Sequence, residues 1–391
     1  MRDIKIAHFI HDEKFPDAAY KLFEEVAPDC SDYYIASRSQ KLKYIKNIPI
    51  KFINRFSFKS KRFIKKLENE YDFVMLHALT AFNIQLVAHA ASSKIKFVWI
   101  GMGYDYYDLI YENEEDLLLQ DTQKIFHELR GEQNDTKLLQ KIKDLAKKAI
   151  YKNITKEEVI SRIDYFSPVL SNEYEMVKTK LQEKGIKKFP DYVYWNYGVS
   201  AHTLDDNNAP TVNQDQKGIL LGNSASFTNN HMEMLDFLKE NSSRFSQIVC
   251  PMSYGNVTYG KHIEQIGKSF FDEKFISIRQ FMPYEEYVEK ISKTSIVIMN
   301  HKRQQAAGNV IVMLLKGATV FLREENPLFK HYKDMDVVLF SIQDLKKNPE
   351  LFERRLTNEE IINNRKQLKA FGGTEAALNK TRNLIKKVVE L

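Results

Sequence analysis

The sequence predicts two doubly wound α/β domains joined by a polar linker, and three observations carry that reading. Short apolar runs of strand length alternate with amphipathic helix patterns in both halves of the chain, the mark of parallel sheets covered on both faces. The stretch AHTLDDNNAPTVNQDQKG at 201–218 is poor in apolar residues and rich in Asp, Asn and Pro, a linker composition. The chain has 391 residues, more than the roughly 250 to 300 that a single hydrophobic core organises.

In chain order, Ile4 to Ile10 reads as a strand, and Pro16 then opens a helix, DAAYKLFEEV, whose apolar positions are Ala18, Ala19, Leu22, Phe23 and Val26. YDFVMLH, ALTAFNIQLVAHAA and KFVWIG follow as strand, helix and strand. From Tyr106 to Gly185 the sequence is charged and mostly helical apart from DYFSPVL, which predicts a helical elaboration of the first domain. After the linker a second series begins, with candidate strands GILLG, SQIVCP, KFISI, SIVIMN, ATVFL and DVVLF. The helical end of the chain is broken at Gly372-Gly373, leaving its last helix free to return to the first domain. The expected boundaries are therefore 1–205, 206–372 and a C-terminal helix over 373–391.

Composition, 43% hydrophobic and 28% charged, is that of a folded globular chain. The longest apolar run, Val310 to Leu315, is six residues, far below the roughly 18 to 20 of a spanning helix. The N-terminal MRDIKIAHFIHDEKF has no continuous apolar core of a secretory signal, which predicts a cytoplasmic protein. Cys30 and Cys250 lie far apart and form no metal or redox spacing; both are expected in the core. The net charge of +6 is local. Between Lys41 and Lys66 stand ten Lys or Arg and no acid, interleaved with Tyr44, Phe52, Phe56, Phe58 and Phe63, while the rest of the chain is net negative. Two readings fit: a peripheral surface for an anionic membrane, or a solvated basic face over a buried apolar side.

Ligands of open α/β sheets bind beyond the carboxyl ends of the strands. After GILLG, Gly222 permits a tight turn, and Asn223, Ser224 and Thr228 supply short polar side chains. After SIVIMN come Arg303, Gln304 and Gln305, and then Ala306, Ala307, Gly308 and Asn309 open a helix. A helix N-terminus presents unpaired N–H donors and partial positive charge, arginine adds a planar fork for two phosphate oxygens, and small residues let an anion approach the backbone. The segment suits a diphosphate; the alternative is a surface arginine beside two helix-starting glutamines. The chain has no GxxxxGK[ST], and no GxGxxG follows its first strand, which argues against P-loop and classical dinucleotide chemistry. Met252, Tyr254 and Phe281, near strand exits, are candidates to enclose a nucleobase or to fill the core. His8 and His11 are candidates for substrate contact or plain loop histidines.

LGNSASFTNNHMEML, CPMSYG, KRQQAAGNVIVMLLKGATVFL and ENPLF together resemble successive motifs of the bacterial 4-acetamido-4,6-dideoxygalactose (Fuc4NAc) transferases, glycosyltransferase family 56. FVWIGMGYDYYDL resembles a further motif, matching at Gly103, Asp105 and Tyr107, with His77 in a matching strand-end position. Met102, Tyr104 and Ala306 depart from the family pattern. The resemblance implies a GT-B glycosyltransferase, two Rossmann-like domains facing a central cleft, with a nucleotide-diphosphate sugar (dTDP-linked) as donor and a lipid-linked or oligosaccharide acceptor at the inner face of the cytoplasmic membrane.

On that reading the leaving diphosphate needs electrostatic stabilisation. With no convincing acidic metal cluster in the sequence, Arg303 and helix dipoles are expected to provide it, with no metal or other cofactor. Asp105 is the expected general base, its second reading being a turn or N-cap aspartate, with Asp108 and His77 behind it. His8, Gly103 and Tyr107 are expected at the acceptor, and Glu325 at the ribose or sugar. Asn326 before Pro327 has a second reading as ordinary helix-start chemistry. The rivals are a nucleotide-sugar 2-epimerase, a catalytically inert sugar-nucleotide sensor, and a nucleic-acid-binding protein; the last is disfavoured because no RRM, KH or zinc motif accompanies the basic run.

Overall fold

A computed structural model describes residues 4–131, 154–197 and 211–390. Among them lie two wholly parallel sheets. The first has seven strands: β1 (Ile6–Phe9), β2 (Ser31–Ala36), β3 (Ile50–Ile53), β4 (Phe73–His77), β5 (Lys96–Ile100), β6 (Tyr165–Ser167) and β7 (Asp191–Tyr192), in the order β3-β2-β1-β4-β5-β6-β7. The second has six: β8 (Gly218–Leu221), β9 (Gln247–Pro251), β10 (Phe275–Ile278), β11 (Ile296–Met299), β12 (Thr319–Leu322) and β13 (Phe340–Ser341), in the order β10-β9-β8-β11-β12-β13.

The central strands β1, β4, β8, β11 and β12 are buried along their whole length, as continuous apolar runs must be when helices cover both faces. In each sheet the strand order reverses beside the first strand, between β1 and β4 and between β8 and β11. Connections leave in opposite directions there, so a crevice opens at the carboxyl ends of those two strands.

β2 and β3 were not expected from the sequence. β2 (SDYYIA) mixes polar ends with a buried centre, and β3 is an edge strand with no fully buried residue. They form because β1 offers β2 a buried ladder, and β2 in turn pairs β3.

The chain divides into two compact units, one drawn from 1–110, 137–201 and 374–391, the other from 111–136 and 202–373. The described residues 111–131 thus join the second unit, where a helical extension of the first was expected. The cause is specific hydrogen bonding: Glu233 accepts from the backbone N–H of Asp121 and Thr122 and from the Thr122 hydroxyl, and Lys302 Nζ donates to the carbonyls of Asp116 and Leu118. The rest of the expected elaboration, 132–153, and the linker core, 198–210, lie outside the described residues. The last helix, Thr374–Val389, packs Leu378, Leu384, Ile385 and Val388 into the first unit's core with Ile6, Phe23 and Trp195.

The basic segment puts its cations in solvent. Lys41, Lys43, Lys46, Lys51, Arg55, Lys59, Lys61, Arg62, Lys65 and Lys66 are all exposed. Ile45, Ile48 and Phe58 are buried, and Phe52, Phe56 and Phe63 are half-buried. Phe63 packs on Phe9 and Tyr34, and Phe58 on Phe82. The surface is cationic, with Tyr44, Phe52, Phe56 and Phe63 partly exposed beside it.

Candidate functional site

In the second unit the exits of β8 and β11 lie side by side at the switch point. Gly222 follows β8 with φ of +67°, and a Cβ there would come within 2.7 Å of Asn229 Oδ1 and 2.8 Å of His231 Nε2. Only glycine fits both constraints. Asn229 Oδ1 accepts from the Asn223 backbone N–H at 2.9 Å and pairs with His301 Nε2 at 2.8 Å. His231 and His301 are fully buried, and burial holds both imidazoles well below their usual range. They are neutral parts of the scaffold.

Several expected donor contacts turn out to be internal. Gln305 is buried; its Oε1 accepts from Thr228 Oγ1 at 2.8 Å, and its Nε2 donates to Asn223 Oδ1 at 2.9 Å. Asn223 Nδ2 donates to Tyr254 Oη at 2.7 Å, and Ser224 Oγ accepts from Asn229 Nδ2 at 3.0 Å. Asn223, Ser224, Thr228 and Gln305 therefore have side chains already engaged in joining the two strand exits. Met252 is buried in the core cluster of this unit, so it packs and does not enclose a base. Glu325 accepts from Arg323 and from Gln343, each at 2.6 Å, with its side chain 48% exposed. Asn326 caps the helix Pro327–Asp334 by accepting from the Leu328 N–H at 3.0 Å.

What remains at the surface of this switch point is a smaller set. Arg303 is half-buried, and its charge reaches both Tyr254 and His301; Gln304 beside it is also half-buried. Ala306, with φ of +62°, turns the chain into the helix Ala307–Leu315. The N–H groups of Ala307, Gly308 and Asn309 point out of its first turn, as the first donors of any helix do. A Cβ on Gly308 would meet nothing within 4 Å, so the space beside that backbone is open. Tyr254 is 60% exposed; Phe281, 67% exposed, lies apart from the switch point, beyond the edge strand β10. Asn309 Nδ2 donates to Tyr287 Oη at 2.7 Å, and Tyr254 and Tyr284 both raise the Tyr287 phenol after burial does. Tyr284 and Tyr287 were missed because a helical sequence, YEEYVEKI, reads as a plain amphipathic surface.

In the first unit the expected catalytic and acceptor residues are largely structural. Asp105 is buried; Oδ2 accepts from the Leu79 N–H at 2.8 Å and Trp99 Nε1 at 2.7 Å, and Oδ1 from the Met102 N–H at 2.7 Å. Burial raises its carboxyl while those bonds lower it. This carboxylate fastens the loops after β4 and β5, as a turn aspartate does. Asp108 is ion-paired with Lys156 Nζ at 2.6 Å.

His8 is fully buried, stacks on Tyr33, and pairs through Nδ1 with His77 Nε2 at 3.1 Å and through Nε2 with Ser31 Oγ at 3.2 Å. His77 Nδ1 engages Tyr197 Oη. Neither ring has an edge left for a substrate, which corrects both expectations. Burial depresses both, His77 to about 3. Tyr107 is buried with its hydroxyl 2.5 Å from Glu173 Oε1, a core contact in place of an acceptor one. Gly103 has φ of +85° and forms the turn that brings Asp105 back under β5. His11 is half-buried at the β1 exit. Among the described residues no three His, Cys, Asp or Glu converge in the manner of a metal site, and no helix is long and apolar enough to cross a membrane.

Similarity to known proteins agrees with this arrangement. A 4-alpha-L-fucosyltransferase model, glycosyl transferase group 56, matches residues 179–379, just over half of the chain. Among solved structures, a glycosyltransferase from Rickettsia africae superposes with a TM-score of 0.64 at 10% identity over 100% of both chains. The lipopolysaccharide outer core galactosyltransferase WaaB gives 0.61 at 11% identity, covering 98% of this chain and 99% of its own. A UDP-N-acetylglucosamine 2-epimerase gives 0.53 at 12% identity, covering 100% and 98%. The structural likenesses establish the two-domain GT-B fold, and the family match establishes the rest: this chain belongs to glycosyltransferase family 56 and is a glycosyltransferase.

Proposed function

We propose that the protein moves a Fuc4NAc-like deoxy-aminosugar from a nucleotide diphosphate, dTDP, to a lipid-linked saccharide during surface polysaccharide synthesis. The observation that carries this reading is the β11 exit, where a half-buried Arg303 stands beside a helix N-terminus with open space over Gly308. Backbone donors and a guanidinium together suit a diphosphate whose charge grows as the sugar leaves. In this reading Arg303 and the helix supply the positive charge without a metal ion. The exposed Tyr254 and Phe281 are the apolar surfaces for the base. The family description names a fucosyl group, a 6-deoxyhexose, which favours a deoxy sugar.

The exposed cations of 41–66, with the partly exposed rings of Tyr44, Phe52, Phe56 and Phe63 among them, bring the enzyme to an anionic membrane surface. A panel of nucleoside diphosphates and their sugars, titrated calorimetrically, followed by product mass with a lipid-diphosphate saccharide, tests the reading. Tight dTDP binding and a product heavier by one sugar are expected. A product of unchanged mass without acceptor consumption points instead to an epimerase. Salt-sensitive sedimentation with anionic vesicles, lost when Lys59, Lys61, Arg62, Lys65 and Lys66 are changed to Glu, checks the docking surface.

A further inference from the structure

We propose that Glu13 is the general base that deprotonates the acceptor hydroxyl, and that the exposed rings of Tyr104, which donates to it, and of Phe15, two residues on in the chain, form the platform for the acceptor sugar. The inference rests on the glycosyl-transfer reading and assigns the base that Asp105 cannot supply.

Position is the first argument. Glu13 lies four residues beyond the end of β1, on the carboxyl side of the β1/β4 switch point of the first sheet, where open α/β sheets hold their ligands. The second argument is elimination. Asp12 accepts three backbone N–H bonds, from Lys43, Tyr44 and Ile45, at 2.6 to 3.1 Å. Asp105 accepts three N–H bonds. Asp108 is paired with Lys156. Glu173 is fully buried under the hydroxyls of Tyr106 and Tyr107 and the Leu170 N–H. Glu13 alone among these acids is lightly engaged, by a 3.3 Å hydrogen bond from Tyr104 Oη to Oε1.

Its surroundings suit a sugar. Tyr104 is 54% exposed and Phe15 44% exposed, and the apolar face of a pyranose packs well on such rings while its hydroxyls reach a neighbouring carboxylate. Phe15 is braced from behind by Tyr197, with ring centroids 5.7 Å apart. Burial raises the Glu13 carboxyl, and the nearby Asp105 charge acts in the same direction, against the Tyr104 hydrogen bond. Such a shift moves a carboxylate towards the range in which it accepts a proton usefully at neutral pH.

The step balances as a single displacement. The acceptor O–H gives its proton to a Glu13 carboxylate oxygen as the acceptor oxygen bonds to the anomeric carbon. The bond from that carbon to the diphosphate oxygen breaks, and its electron pair leaves with the diphosphate.

The test compares wild type with Glu13→Gln, Glu13→Asp and Tyr104→Ala in steady-state transfer, with nucleoside diphosphate affinity and melting temperature measured on each. Glu13→Gln is expected to lower kcat by about 10²- to 10⁴-fold, to keep diphosphate affinity within twofold, and to lose the acid limb of the pH-rate profile. Glu13→Asp retains part of the rate and the limb. Tyr104→Ala raises the acceptor KM more than it lowers kcat. Full activity in a folded Glu13→Gln protein overturns the proposal while leaving the glycosyl-transfer reading intact. Wild type that binds no nucleoside diphosphate overturns that reading itself.

Discussion

Gln305 Nε2 donates to Asn223 Oδ1 at 2.9 Å, joining the loop after β11 to the turn after β8. Through Gln305 Oε1 the same side chain also holds Thr228. Gln305→Ala leaves two buried polar atoms without partners, at about 1 to 3 kcal/mol each. The unfolding free energy from urea titration is expected to fall by a total of about 2 to 6 kcal/mol, with weaker nucleotide binding as a second effect because Arg303 loses its rigid support. An unchanged midpoint would show that the strand exits hold their places without this amide.

Arg303 and Gly308 separate charge from access. Arg303→Ala is expected to lower kcat/KM by about 10²-fold or more, and Arg303→Lys to recover part of it, since lysine restores the charge without the fork. Gly308→Ala meets no protein atom within 4 Å and gains up to about 1 kcal/mol of helix propensity, yet its methyl group enters the space assigned to the diphosphate. A higher melting temperature with weaker diphosphate binding is the expected pair; unaltered binding removes Gly308 from the donor site.

Asp105→Asn distinguishes a positioning carboxylate from a base. Three N–H bonds converge on Asp105, and hydrogen bonds to a charged acceptor contribute about 1.5 to 3 kcal/mol each. One amide nitrogen facing a donor in the variant is expected to destabilise the first unit by about 2 to 4 kcal/mol. Transfer per folded molecule should fall far less than in Glu13→Gln. A stable but inactive Asp105→Asn protein would return the base to Asp105.

Buried histidines make folding acid-sensitive. His77 and His231 are each held at about 3, and His8 and His301 well below their ordinary range, burial being the first cause in all four. The unfolded chain binds protons near pH 6.5 that the folded chain refuses. The stability they leave intact above about pH 6.5 is therefore lost as pH falls towards 3, by about 1.4 kcal/mol per pH unit per histidine. Asp105, Glu13 and Asp236, whose carboxyls burial raises, work in the opposite direction. Urea unfolding at pH 7.5 and 5.5 checks the slope, and a histidine substitution that keeps the fold, such as His77→Gln, should reduce it by about one proton.

The elements that the sequence announces most clearly are those whose burial is decided locally. FVML before His77, IVIM before Asn300 and TVFL before Arg323 are continuous apolar runs, and each is a central strand buried along its length. Their exits could be placed at once, and with them Gly222, Arg303 and the Ala307–Leu315 helix start. β2 and β3 carry mixed patterns whose meaning depends on which strand they pair with, so a local reading passes over them.

The sequence by itself determined the parallel two-sheet architecture and the family to which the chain belongs, because periodicity and short motifs are properties of neighbouring residues. Only the tertiary structure decided which polar residues are available for chemistry. Asp105 and Glu13 are both acids beyond strand ends, and nothing in their immediate sequence tells them apart. The N–H groups of Met102, of the Trp99 indole and of Leu79, 26 residues away, converge on the first, while among the described residues the second accepts from the Tyr104 hydroxyl. Likewise His8 and His77, 69 residues apart, engage one another only because β1 and β4 pair. Hydrogen bonds between residues far apart in the chain settle whether a side chain is scaffold or reagent, and those partners are brought together by the fold.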